Sequence, residues 1–202
     1  EELKEYEDKI LNAEEKIFTI ESNIFSELCQ FLLGTISDIH TNAKAINRMD
    51  LLVGFSSTSL SQNFVRPELT NNPKLEINQG RHPVVEQLLP STDKFIPNDL
   101  SIDSKINQIH LITGPNMAGK STYLRQVGLI VLMAQIGSFV PANSAKIGIA
   151  DKLFTRVGAS DNLAGGESTF LVEMNEAANI MNNATNRSLI LLDEIGRGTA
   201  TF

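Results

Sequence analysis

The sequence predicts an α/β fold preceded by an all-α segment, and three observations carry that prediction. The phosphate-loop pattern G-x-x-x-x-G-K-[ST] falls on Gly114, Gly119, Lys120 and Ser121. It lies between a short apolar run at 109–113 and a helix-like stretch at 123–137, the strand–loop–helix context this pattern needs. A second apolar run, 188–192, ends in Asp193 and Glu194 and reads as a strand buried on both faces of a parallel sheet. Ahead of both, Leu3, Tyr6, Ile10, Ala13, Ile17, Ile20, Ile24 and Phe31 recur at a 3–4 spacing, the period of a helix stripe.

The helical segment comes first. No Gly or Pro occurs before Gly34, and charged residues fill many of the remaining positions over 1–16. Such a stripe suits a lever or coiled-coil arm, and equally a helix lying on a local core. No capping residue precedes Glu1, so a start inside a longer helix is expected. Residues 31–55 continue as one or two shorter helices, with Gly34 and Gly54 as breaks. Between 56 and 73 the composition shifts to Ser, Thr and Asn with Pro67 and Pro73. This sets a boundary near Asn63, with a helical segment over 1–63 and an α/β domain over 64–202.

Within that domain, 74–78 reads as a strand, Gly80-Arg81-His82-Pro83 as a turn and 84–89 as a short apolar piece. Residues 90–103 read as an irregular loop holding Phe95, whose ring can stack on a base or fill the core. After the phosphate-loop helix, 140–143 breaks the chain and 145–149 and 152–156 read as short strands. Residues 158–166 form a loop rich in Gly, Asp, Asn and Ser. Ser168 or Thr169 can cap a helix over 170–184, with Phe170, Met174, Ala177, Ala178 and Met181 on one face.

Three constellations carry chemistry. In the first, glycines let backbone N–H groups turn inward around phosphate oxygens, and the following helix adds its positive end. Lys120 can then reach the β- and γ-phosphates, and the Ser121 hydroxyl can ligate Mg²⁺. In the second, Asp193 can hold Mg²⁺ and Glu194 can orient and deprotonate an attacking water. The third, Gly165-Gly166-Glu167-Ser168-Thr169, opens a helix and suits a γ-phosphate or a plain helix cap. Composition bounds the rest. Net charge is −7, so no global basic field announces nucleic acid. Cys29 is the one cysteine, which excludes a disulfide framework and fits a reducing cytosol. No secretory signal is expected, because the given N-terminal stretch is acidic without an apolar region, and the most apolar run, 128–134, is too short to span a bilayer.

Together these residues resemble the MutS family of DNA mismatch-repair ATPases. The resemblance rests on Thr113-Gly114-Pro115-Asn116-Met117, Gly119-Lys120-Ser121-Thr122, Phe154-Thr155-Arg156-Val157-Gly158-Ala159, Ser168-Thr169-Phe170, Glu173-Met174 and Asp193-Glu194-Ile195-Gly196-Arg197-Gly198-Thr199. Gly80-Arg81-His82-Pro83-Val84-Val85-Glu86 and Phe139-Val140-Pro141-Ala142 fit as well, so it covers essentially the whole chain. It implies the end of a helical lever followed by most of an ABC-type P-loop ATPase domain. ATP or ADP with Mg²⁺ would be the nucleotide ligands. Gly114, Pro115, Asn116, Met117, Ala118, Gly119, Lys120, Ser121 and Thr122 would bind phosphates, with Asn116 near the γ-phosphate. Phe95 would stack on adenine, Ser121 and Asp193 would hold Mg²⁺, and Glu194 would activate water. Ser168 would reach the nucleotide of a partner subunit. Many members carry glycine where Ala118 stands, but the loop's other glycines are kept.

The implied protein is a cytoplasmic homodimer whose nucleotide state switches a DNA clamp. It would act on mismatched double-stranded DNA and with a downstream repair ATPase of the MutL type, away from membranes. A mismatch-reading domain, the clamp and the dimerising C-terminal helices would lie outside these 202 residues. Two other classes compete. A small-molecule P-loop kinase needs an arginine-bearing lid, and Arg156 and Arg187 form no obvious one. An interaction module with a dead nucleotide site is disfavoured by the intact Lys120, Ser121, Asp193 and Glu194.

Overall fold

The structure, a computed structural model, describes residues 2–90, 92–157 and 169–196. The chain divides into two compact units, Glu1–Gly54 and Phe55–Phe202. The first unit holds α1 (Glu2–Leu33) and most of α2 (Ile36–Ser61). Gly34 stands in the turn between them, as expected. Gly54 does not break α2, because one glycine costs a helix only about 1 kcal/mol and the flanking turns continue through it. Of the stripe on α1, Ile17, Ile20, Ile24 and Phe31 are exposed. No described helix is long and apolar enough to cross a membrane.

The second unit is mixed α/β. Its larger sheet has the order β1-β4-β2-β3, made of β1 (Glu68–Thr70), β2 (Lys74–Gly80), β3 (Asn98–Asp103) and β4 (Ser144–Gly148). β2 pairs antiparallel with β3 and β4, and β1 pairs parallel with β4. A second sheet joins β5 (Leu153–Arg156) to β6 (Leu189–Leu192) in parallel. Between β2 and β3 lies a single helical turn, α3 (Val85–Leu88). Two longer helices complete the unit, α4 (Lys120–Gln135) and α5 (Thr169–Asn183).

The core forms where α4 meets the sheets. Val127, Ile130, Val131 and Ala134 face Leu75, Ile77, Leu100, Ala145 and Ile147 of the larger sheet, and Leu191 of β6 joins the same cluster. Ile130 and Ile147 are completely buried. Each such side chain contributes about 1.5–3 kcal/mol relative to exposure. This apolar cluster holds α4, the helix that opens at the phosphate loop, against both sheets.

Four expectations in the second unit are corrected. The segment expected as an irregular loop through Asp103 ends in strand β3, where Leu100 and Ile102 pair with Ile77 and Leu75. Its alternation was hidden by Asn98, Asp99, Ser101 and Asp103, residues depleted in strands. Residues 109–113 make no ladder among the described residues, and Ile109 and Leu111 are 85% and 82% exposed. An apolar run becomes a strand only when a neighbour takes its N–H and C=O groups. β6 is buried on one face only: Leu191 packs into the core cluster with α4, while Ile190 and Leu192 on the opposite face stay exposed among the described residues. On α5 the inward side runs through Glu173, Ala177 and Ile180, leaving Met181 at 84% exposure.

Candidate nucleotide site

The phosphate loop is built by local backbone geometry. Gly119 caps α4 at φ 88°, a left-handed conformation open to glycine at no steric cost. Met117 adopts φ 65°, an uncommon conformation for a residue with a side chain, which makes a tight reversal within the loop. Ala118 N donates weakly to Pro115 O at 3.4 Å, and Tyr123 N donates to Gly119 O at 2.9 Å, opening the helix. The first N–H groups of α4 therefore face the loop, where an anion would find donors. Lys120 folds back over this loop, its Nζ donating to Gly114 O and Pro115 O, both at 2.9 Å.

The two acidic residues arrive from β6. The strand ends at Leu192, and Asp193 N donates to Arg156 O at 2.7 Å, carrying the β5–β6 ladder one residue further. That places the Asp193 carboxylate against the start of α4, where Ser121 Oγ donates to Asp193 Oδ2. The two residues are 72 positions apart in the chain. Glu194 follows at φ 51° and lines a cleft of about 340 Å³ with Asn116, Met117, Gly119, Lys120, Ser121 and Thr122. The hydroxyl and carboxylate are hard oxygen donors of the kind Mg²⁺ takes. Among the described residues no group of three or more His, Cys, Asp or Glu could cage a metal alone. The donor set fits Mg²⁺ completed by phosphate oxygens and water, its usual habit in nucleotide sites.

A larger cleft of about 850 Å³ shares Ala118, Gly119, Lys120 and Thr122 with the loop and extends past Tyr123 to Phe95. Phe95 is half-buried on its wall, so one ring serves packing and still borders the opening. Tyr123 OH donates to Asp99 O at 3.0 Å, tying α4 to β3, and burial then the Asp99 charge push its phenol up. The structure thus brings together Phe95 and the loop residues in one cleft, and the loop, Asp193 and Glu194 in the other. Ser168, with Gly165, Gly166 and Glu167, lies outside the described residues.

Sequence reasoning gave no role to three residues near this site. Gln126 is 1% exposed on the core face of α4, and among the described residues its Oε1 has no hydrogen-bond partner. A polar residue beside Val127, Ile130 and Val131 was the available signal. Glu173 is 5% exposed and accepts from Gly196 N at 2.5 Å. His82, also 5% exposed, accepts at Nδ1 from Val84 N and Val85 N, at 3.3 and 3.2 Å. It thereby holds α3, whose Val85 lines the larger cleft. Beside it Arg81 pairs with Glu86 at 2.9 Å and donates through Nη2 to Gln62 O and Asn63 O.

Burial pushes the His82 imidazole below its usual range and the Arg125 charge adds to this, against an opposing backbone hydrogen bond. A base whose folded pKa is depressed contributes stability above its unfolded pKa, which is lost as pH falls through the folded one. Thermal stability is therefore expected to decline as pH drops below about 6.5, the ordinary histidine value. Melting curves from pH 8 to pH 5 check this against His82→Ala. An equal decline in both proteins would remove His82 as its cause.

Comparison with known proteins gives one consistent result. Residues 110–202 match the family described as MutS domain V. The whole chain is 58% identical over 201 residues to the DNA mismatch repair protein MutS of Salinibacter ruber, covering 22% of that protein. It is 56% identical over 202 residues to the protein of the same name from Bacteroides thetaiotaomicron, covering 23%. For that of Lachnoclostridium phytofermentans the identity is 55% over 201 residues, covering 22%. The chain therefore spans 22–23% of the length of these curated relatives.

Proposed function

We propose that this chain is the nucleotide-binding part of a DNA mismatch-repair ATPase of the MutS type, preceded by the end of its helical lever. The observation that carries the reading is the hydrogen bond from Ser121 Oγ to Asp193 Oδ2. It joins the start of the phosphate-loop helix to the end of an apolar strand, the two places from which such ATPases draw their Mg²⁺ ligands. Relatives named DNA mismatch repair protein MutS, similar along the whole chain, support the same reading.

On this reading ATP lies across both clefts, its adenine against Phe95 and its phosphates in the loop from Gly114 to Thr122. The loop N–H groups and Lys120 neutralise the β- and γ-phosphates. Ser121 and Asp193 would hold Mg²⁺, which would supply charge stabilisation on the phosphate oxygens. Glu194 orients a water and accepts its proton as the oxygen attacks the γ-phosphorus. The bond to the β-phosphate oxygen breaks, leaving ADP and inorganic phosphate. Ser168 completes the nucleotide site of a second copy. The nucleotide state then switches a dimeric clamp on mismatched DNA and its dealings with a MutL-type repair ATPase.

The kinase alternative gains nothing from the arginines it needs. Arg156 pairs with Glu176 at 2.7 Å, and Arg187 donates to Ile149 O at 3.0 and 3.2 Å, so each is engaged elsewhere.

The test is the Mg²⁺ dependence of nucleotide binding in the full-length protein carrying this segment. With native Asp193, Mg²⁺ is expected to tighten ATP binding. In Asp193→Asn most of that gain is expected to vanish, while Mg²⁺-free binding changes by less than about three-fold, since the loop and Lys120 remain. Undiminished Mg²⁺ dependence in Asp193→Asn would sink the assignment.

A further inference from the structure

Glu194 stands in a turn that does not form without cost. Its φ of 51° is left-handed, and Gly196, two residues on, has φ 90°. A residue with a side chain is strained in such a conformation and persists there where its surroundings over-determine it. One restraint comes from across the fold. Glu173, on the second turn of α5, accepts the Gly196 N–H on Oε1 at 2.5 Å, and its side chain is almost wholly buried. One turn further along α5, Glu176 pairs with Arg156, whose carbonyl accepts Asp193 N. Helix α5 therefore grips the acidic turn near both ends, through Arg156 before it and Gly196 after it.

We propose that Glu173 is a positioning residue for Glu194: its buried carboxylate holds the Gly196 N–H and so fixes the turn that presents Glu194 to the phosphate-loop cleft. It acts through the backbone and touches no substrate. A carboxylate accepting a backbone N–H makes a strong, short bond, and a glutamine oxygen makes a weaker one of the same geometry. Alanine makes none, and the turn then loses this restraint while the phosphate loop keeps all its own bonds. The consequence is specific: hydrolysis suffers and nucleotide binding does not. The proposal rests on the reading of Glu194 as the water-activating acid.

The experiment measures single-turnover ATP hydrolysis and ATP affinity separately, in the full-length protein, for Glu173→Ala, Glu173→Gln and Glu194→Ala. Melting temperatures report folding. Glu173→Ala is expected to slow hydrolysis about 10–100-fold, the scale of a misplaced reacting group, with affinity changed less than about three-fold. Glu173→Gln is expected to recover most of the loss. If Glu173→Ala does not fold, Glu173→Met fills the same space without an acceptor and takes its place. A folded Glu173→Ala or Glu173→Met that hydrolyses at the native rate overturns the proposal, as does a folded Glu173→Gln no better than either. Rate and affinity falling together also overturn it, because that is the mark of a merely structural role. If Glu194→Ala itself hydrolyses normally, the reading of Glu194 fails and this proposal with it. If Glu194→Ala is slow and Glu173→Ala is not, the proposal alone fails.

Discussion

Replacing Lys120 by alanine is expected to abolish measurable ATP turnover in the full-length protein and to weaken nucleotide binding. Lys120 Nζ bonds the carbonyls of Gly114 and Pro115, so the side chain lies along the loop that would hold the phosphates. Two effects add in the variant. The phosphates lose a charge-assisted hydrogen bond, about 1.5–3 kcal/mol, or roughly 10–100-fold in affinity. The transition state, where charge shifts onto the phosphate oxygens, loses a preorganised cation, for which about 10²–10³-fold in rate is typical. Lys120→Arg is no remedy, because a planar guanidinium cannot sit as a point charge between two carbonyls. Steady-state hydrolysis and equilibrium binding of ATP measure the two losses. A native rate in Lys120→Ala would remove this residue, and the loop with it, from the site.

The second large effect is expected at Glu194 and is of a different kind. Glu194→Ala should leave ATP binding near its native level and slow hydrolysis by about 10²–10⁴-fold, the range for losing a general base. The separation follows from position. Asp193 reaches Ser121 directly, while Glu194 lines the same cleft one residue further on, in a turn of its own. Binding by the loop and by Asp193 therefore survives. Rapid-quench hydrolysis with parallel binding titrations reads the difference. Equal loss of binding and rate would mark Glu194 as a support of the turn.

Much of this site was legible in the chain because its parts are local. The loop glycines, Lys120 and Ser121 lie within eight residues, and their geometry follows from glycine conformations and the start of one helix. Helices α1, α4 and α5 and strands β2, β4 and β5 announced themselves by period and by breaks. Strand β3 did not, since its polar residues imitate a loop until β2 pairs with them. The opposite error occurred at 109–113, where apolar composition suggested a strand and no neighbour among the described residues makes it one.

By itself the sequence determined which residues could do chemistry: a phosphate loop, a hydroxyl, two acids and an aromatic ring, each at readable spacing. The tertiary structure decided which of them meet. Ser121 and Asp193 touch only because β6 packs through Leu191 onto the core cluster that also holds α4. Glu173 serves the acidic turn because the inward side of α5 runs through it and Ile180 instead of Met181. His82 becomes a buried acceptor because α3 folds back onto its ring. The physical reason is the range of the forces. Backbone conformation and capping act over a few residues and leave their mark in composition. Packing and buried hydrogen bonds join residues tens of positions apart, and nothing in their spacing records the meeting.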